Sequence, residues 1–325
     1  MLILELKFAV NNQLILSLGE KMNNRNQILL ILLFFLLGKI AMNGQANDYV
    51  TQVAESIVFI YSADKQPCNP SINKDELIPS GSGFVLGVPK KGIKPERWEG
   101  WKFLITCEHV IHNQDKITLR LNRNDVGEYT CFTIDLIRSG SSQNLFSLSK
   151  EVDLVAISIP DIPNTDPLVF DNTMILDNQK MKELEVEIGT EVFSVGYLFG
   201  YSGMKKNYPV TKFGKISLLS EEIWYKSPNP RNIIEKAYLI ELQNVPGLSG
   251  SPVLLKGPQF KITKDKQFQF RNIPPLILGV IKGALLSPIG GTQGIAAIEP
   301  SINLNELVKK ISKILKDAGY DVDDQ

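Results

Sequence analysis

The chain has little of what metal sites and disulfide scaffolds are made from. Its 325 residues include three cysteines, Cys68, Cys107 and Cys131, and two histidines, His109 and His112. An odd cysteine count leaves at least one thiol free or bonded to another chain. No cysteine pair has metal-ligand spacing and two histidines do not make a His-rich site, so neither a metal nor a cofactor is expected. The core must then be held by packing rather than by a disulfide framework. Net charge is missing as well: 35 Lys and Arg cancel 35 Asp and Glu. Steering toward nucleic acid or an anionic surface is not indicated, and nucleic acid is not an expected partner. Internal repeats and low-complexity tracts are also absent. What remains is a chain of 43% apolar residues, ordinary for a globular protein and long enough for one large domain or two modest ones.

Long apolar runs are confined to one place. Ile28 to Leu37 (ILLILLFFLL) follows Lys21 and Arg25, and the stretch after it ends in Gly44-Gln45-Ala46. A charged start, a short apolar centre and small residues before a cut site outline a secretory signal peptide. The run is shorter than the roughly 20 residues a spanning helix needs, and Lys39 limits its extension. A membrane anchor is the competing reading. Met22 is a natural start for this signal. Residues 1–46 are therefore expected to be a leader, with the mature protein beginning near Asn47. That predicts export to a periplasmic or extracellular location, with no stable membrane span after cleavage.

Past the leader, apolar runs are short and punctuated by Gly and Pro, as in a β protein. Asp48 to Ser62 reads as a short helix leading into a strand, and Phe84 to Leu86 and Phe103 to Cys107 read as strands. Further strands are expected at Lys116 to Leu121, Tyr129 to Ile137 and Leu154 to Ile159. Pro160, Pro163 and Pro167 mark a linker. A second series follows at Glu191 to Val195, Thr211 to Leu218, Ala237 to Gln243, Pro252 to Leu255 and Leu276 to Gly283. Pro258 to Pro274 reads as an exposed hairpin or loop between the last two. Leu304, Leu307, Ile311 and Leu315 recur at helical spacing, predicting a surface helix over Leu304 to Lys316 capped by Asn303 or Asn305. Two series of short strands closed by a helix suggest two β-barrels, 47–165 and 166–302, with a helix at 303–318, whose loops meet at a shared cleft.

Three segments carry chemistry. Gly247-Leu248-Ser249-Gly250-Ser251-Pro252 is a tight loop in which two glycines remove Cβ atoms and a proline fixes the exit. Such a loop exposes Ser249 and aims backbone N–H groups at one spot, which suits a serine nucleophile with an oxyanion hole. His109 follows the strand ending at Cys107, a rigid place for a general base. Asp153 opens the apolar strand Leu154-Val155-Ala156-Ile157, at the rim of the core, where an unpaired carboxylate is costly. Taken singly, each is also what a turn, a structural histidine and a strand-start aspartate look like. Together they run His, Asp, Ser, one of the few orders known for hydrolytic triads.

On these segments the mature chain resembles the trypsin-like (chymotrypsin-fold) serine peptidases, particularly the bacterial HtrA-like protease domains. Ile105-Thr106-Cys107-Glu108-His109-Val110 resembles the family's base motif. Asp153-Leu154-Val155-Ala156 is similar to its Asp strand, and Gly247 to Pro252 fits its nucleophile loop. Gly81 to Phe84, Gly189 to Gly200, Gly279 to Ile281 and Ile295 to Pro300 extend the likeness over nearly all of Asn47 to Lys316. The resemblance implies an all-β fold of two six-stranded barrels with a C-terminal helix. It also implies a Ser249–His109–Asp153 triad acting on protein or peptide substrates, with the N–H groups of Gly247 and Ser249 as oxyanion hole. Lys282, Gly283 and Ala284 would be the edge that pairs with an extended substrate. Gln243 would stand at the specificity pocket, a neutral amide with no charge to prefer Arg or Lys. Leu248 replaces the Asp that receives a new N-terminus in pancreatic-type enzymes, so activation by that ion pair is not expected. No PDZ domain is expected after the helix. The alternative reading is a catalytically silent trypsin-fold protein that binds peptides or surfaces.

Overall fold

Runs such as Val-Phe-Ile-Tyr and Phe-Leu-Ile-Thr are β-branched and aromatic, too short for helices, and bounded by glycine or turn residues. They form strands in a computed structural model that describes residues 49–65, 67–68, 78–91, 99–140, 142–165, 168–224, 234–243, 246–257, 259–262, 268–271, 275–286 and 292–322. The expected leader lies outside the described residues. Among the described residues no helix is long and apolar enough to cross a membrane.

The N-terminal half holds β1 (Val58–Ser62), β2 (Gly81–Pro89), β3 (Gly100–Thr106), β4 (Lys116–Asn122), β5 (Tyr129–Asp135), β6 (Leu145–Ser147), β7 (Val155–Ile159) and β8 (Val169–Asp171). They make one eight-stranded sheet in the order β5-β4-β1-β2-β3-β7-β6, with β8 parallel to β2. β8 lies past residue 165 yet belongs to this sheet. Residues 50–55 are helical ahead of β1.

The C-terminal half holds β9 (Glu191–Gly196), β10 (Val210–Trp224), β11 (Ile234–Glu241), β12 (Pro252–Leu255), β13 (Gln259–Ile262), β14 (Phe268–Arg271), β15 (Ile277–Leu286) and β16 (Thr292–Pro300). Six of these close into a barrel, β10-β11-β16-β15-β12-β9, and β13 pairs with β14 as a separate hairpin between β12 and β15. Its core gathers Val192, Ile216, Ile240, Leu248, Val253, Leu278 and Ile298, all nearly inaccessible to water. The double-barrel, all-β architecture with a C-terminal helix is thus present. The second half has the expected six barrel strands, and the first is a curled sheet of eight.

Two helices interrupt the strands. α1 (Asn178–Glu183) begins where the Asp177 carboxylate accepts the Lys180 N–H at 2.7 Å. α2 (Ser301–Asp317) buries Leu304, Leu307, Val308 and Ile311. It starts three residues before the expected Leu304, and neither Asn303 nor Asn305 caps it. Pro300 holds the N-cap position. Its fixed φ directs the chain straight from β16 into the helix. Asn303 instead donates to Glu299, and Asn305 donates to the Leu176 carbonyl at 2.8 Å.

The halves meet through polar and aromatic contacts. Arg120 of β4, 2% exposed, donates to the carbonyls of Ser202 and Gly203 at 3.0 and 2.7 Å. The Asn207 N–H donates to Asn122 Oδ1 at 2.7 Å, and Phe59 meets Tyr197 edge-on with centroids 5.1 Å apart. Cys68 and Cys131 form a disulfide that ties the end strand β5 back to the chain after β1. Cys107 is the free, buried thiol.

Candidate active site

β3 and β7 are antiparallel, with Thr106 opposite Val155. The chain leaving β3 and the chain entering β7 therefore sit side by side. That register alone brings His109, three residues past Thr106, next to Asp153, two before Val155. His109 lies in a single 3-10 turn, Glu108–Val110, anchored by the buried Val110. Its backbone N–H donates to Asp153 Oδ1 at 3.0 Å, and its ring Nδ1 is 2.6 Å from Asp153 Oδ2. An ionised carboxylate only accepts, so Nδ1 carries the hydrogen and Nε2 keeps its lone pair. The side chains are 37% and 22% exposed, so the pair lies at the surface with the carboxylate the more buried of the two. Burial pushes the Asp153 carboxyl up. The hydrogen bond and charge of His109, its backbone N–H and the charge of Lys282 outweigh that and hold it below its ordinary value. His112 stands apart on the surface, facing Glu108 Oε1 at 3.3 Å.

The nucleophile loop is docked onto this end of the first sheet by backbone bonds. The Ser82 N–H donates to the Ser249 carbonyl at 2.8 Å, and the Ser82 hydroxyl donates to the Gly247 carbonyl at 2.9 Å. The Ser251 N–H takes the Leu248 carbonyl and the Gly250 N–H takes the Ile281 carbonyl, each at 2.9 Å. The carbonyls of 247, 248 and 249 are thus all taken by hydrogen bonds. Among the described residues no acceptor takes the N–H of Gly247 or Ser249. Gly247 and Gly250 both have positive φ, 101° and 86°. A Cβ at Gly250 would overlap the Ser82 carbonyl and the Thr106 hydroxyl, so only glycine lets the loop sit this close. Ser249 is half-buried, whereas Leu248 is fully buried in the second core and leaves no room there for a charged group.

The other expected residues separate. Gly283 and Ala284 are half-buried on β15, beyond Val280, where β12 stops pairing. Lys282, just before them, is buried, 4% exposed. Gln243 is exposed and edges a hollow with Glu191, Phe213, Lys215 and Lys256, on the face of the barrel formed by β9 and β10. Sequence reasoning missed Ser82 and Thr106, which seat the nucleophile loop, and the buried group Cys107, Lys282 and Glu299 behind it. A signal existed for the last two, one lysine and one glutamate in the otherwise apolar LILGVIKGALL and GIAAIEP.

Cys107 Sγ, a His109 ring nitrogen and an Asp153 oxygen lie within 4.8 Å of one another. They do not make a good ligand set. Burial and the charges of Asp153 and Glu299 push the thiol well up, and it donates to the Ile281 carbonyl at 3.1 Å. His109 and Asp153 are bonded directly, with no space between them for an ion.

No protein-family model matches the chain, and no curated protein does. Among solved structures it is similar to the MamO protease domain from Magnetospirillum magneticum (apo form), with 13% identity, 78% of this chain and 96% of that one covered, and a TM-score of 0.48. It is also similar to the Rv3671c protease from M. tuberculosis in an inactive form, with 18% identity, 82% and 93% coverage and a TM-score of 0.47. A third is the HtrA-type protease AlgW with a decapeptide, with 16% identity, 82% and 67% coverage and a TM-score of 0.45.

Proposed function

We propose that this protein is an exported serine endopeptidase. The observation that carries the reading is the bond between His109 Nδ1 and Asp153 Oδ2 at the end of the first sheet where the Ser249 loop docks. With Nδ1 committed to Asp153, Nε2 is the nitrogen that acts as base. In the proposed reaction Ser249 Oγ attacks the scissile carbonyl while His109 takes its proton. The carbonyl oxygen, now negative, is held by the N–H groups of Gly247 and Ser249. As the tetrahedral intermediate collapses, His109 passes the proton to the leaving amine and an acyl-enzyme forms on Ser249. Water then repeats the sequence and frees the acid. Asp153 keeps the imidazole in the right tautomer and stabilises it when charged.

A peptide lying along β15 past Val280 would pair with Gly283 and Ala284 as an added strand, placing its carbonyl at the Ser249 loop. Export is supported by the leader in the sequence and by the Cys68–Cys131 disulfide, a bond that persists in oxidising compartments. The test is a fluorophosphonate probe applied to the mature protein. Adduct on Ser249, lost in Ser249→Ala and in His109→Ala, is the expected result. Ser249→Ala should also lower kcat by about a million-fold with folding intact. A well-folded protein that takes no label would overturn the proposal.

A further inference from the structure

Two opposite charges are buried on neighbouring strands of the second barrel, Lys282 on β15 and Glu299 on β16. Lys282 Nζ and Glu299 Oε2 are 3.2 Å apart, and each side chain is 2% exposed. Buried ion pairs seldom add stability, because desolvating two charges costs as much as their attraction returns. Well-packed apolar residues would serve the core at least as well. The pair therefore calls for a role beyond packing.

Its position supplies one. β15 and β16 slip register between Ile281 and Gly283, which leaves Lys282 at a β-bulge. Successive side chains alternate along a strand, and Ile281 and Ile298 both belong to the barrel core, so Lys282 and Glu299, the next residue of each strand, lie on the opposite face of the sheet. Ile281, its neighbour, accepts the Cys107 thiol at 3.1 Å, and Cys107 Sγ is within 4.8 Å of both the His109 ring and the Asp153 carboxylate. Glu299 on β16 holds the ammonium from one side and is itself bonded by the Asn303 amide from α2. The titratable groups around the Asp153 carboxylate are thus His109 and Cys107 from the first sheet and Lys282 and Glu299 from the second barrel.

We propose that Lys282 is a positioning residue for the His109–Asp153 pair, its ammonium fixing a positive charge behind the carboxylate that lowers the proton affinity of the pair. Glu299 holds that charge in place and offsets the cost of burying it. The consequence is that His109 stays unprotonated, and able to act as a base, to lower pH than it otherwise would. The charges bearing on Asp153 agree: after those of its own partner His109 comes that of Lys282.

The activity side of this rests on the peptidase reading, but the central test does not. The chain has only two histidines, so their ring signals can be followed one by one by NMR through a pH titration. In Lys282→Met the His109 midpoint should rise, because the protonated pair no longer faces a neighbouring cation. The exposed His112, beside Glu108, is followed in the same spectra as the internal reference. If Lys282→Met does not fold, Lys282→Met with Glu299→Gln removes both charges, and the His109 midpoint should still rise, by less. In the same variants the acid limb of kcat/KM should move up, so that activity at pH 6 relative to pH 8 falls by about threefold or more. A folded variant whose His109 midpoint stays at or below the wild-type value overturns the proposal. Absence of phosphonate labelling on wild-type Ser249 would overturn the peptidase reading alone, leaving the histidine titration to decide this one.

Discussion

The two halves of this molecule solve the same problem of closing a sheet by different means, and they bring different things to the site. The first sheet is open along its hydrogen-bonded path and ends at β5, a strand mostly half-buried, where Cys131 is tied to Cys68. The second closes on itself into a barrel, with β12 pairing β15 as far as Val280. The first half supplies charge, through His109 and Asp153. The second supplies backbone geometry, through a loop whose carbonyls are taken by hydrogen bonds and whose glycines allow close docking.

The division can be broken from the first half. Asp153→Asn preserves shape but lets the carboxamide donate to Nδ1, favouring the wrong tautomer. The expected fall in kcat is about ten-thousand-fold, or about 5.5 kcal/mol of transition-state stabilisation, measured with a peptide substrate at pH 8. Removing the staple is the next largest change. Replacing Cys68 and Cys131 together by serine frees a loop with a sequence separation of 63 residues and should cost about 4 kcal/mol. Urea unfolding with and without reductant checks it, since wild type in reductant should match the variant. A midpoint that reductant does not move would show that the open sheet needs no staple.

Gly250→Ala tests the second half's contribution. It forces a Cβ onto the Ser82 carbonyl at a positive φ, for an expected cost of roughly 2–3 kcal/mol. Phosphonate labelling should drop with it, because the loop is pushed off its seat on Ser82 and Thr106. The same loop shows what was legible in the sequence. Gly247 to Pro252, His109 and Asp153 stood out because each is an unusual residue in a short apolar or glycine-rich context, and the β3–β7 register joins two of them. β6 and β8 did not stand out, since three residues are too few to show a period of two. α1 has no buried residue and hence no apolar face to read. Cys68 and Cys131 pair across a distance that composition cannot reveal. Nothing in the sequence shows that Lys282 meets Glu299, because that pairing depends on the β15–β16 register.

The smallest expected effect is also the one that contrasts the halves most directly. Asp153 has its folded-state pKa lowered, so it binds fewer protons folded than unfolded in the acid range. Its contribution to stability is present above the ordinary carboxylate range and is lost as pH falls through the depressed value. Glu299 has its pKa raised, chiefly by burial, despite Lys282 and Asn303. Its contribution is present below the ordinary value and is lost as pH rises through the raised one. One half therefore gains stability with rising pH while the other loses it, each by less than about 1.4 kcal/mol per pH unit for a single proton. Unfolding free energies measured from pH 3 to pH 7 should show a rising component that disappears in Asp153→Asn and a falling one that disappears in Glu299→Gln. If both variants shift the profile in the same direction, the two carboxylates behave as one coupled cluster, and the boundary between the halves does not separate their charges.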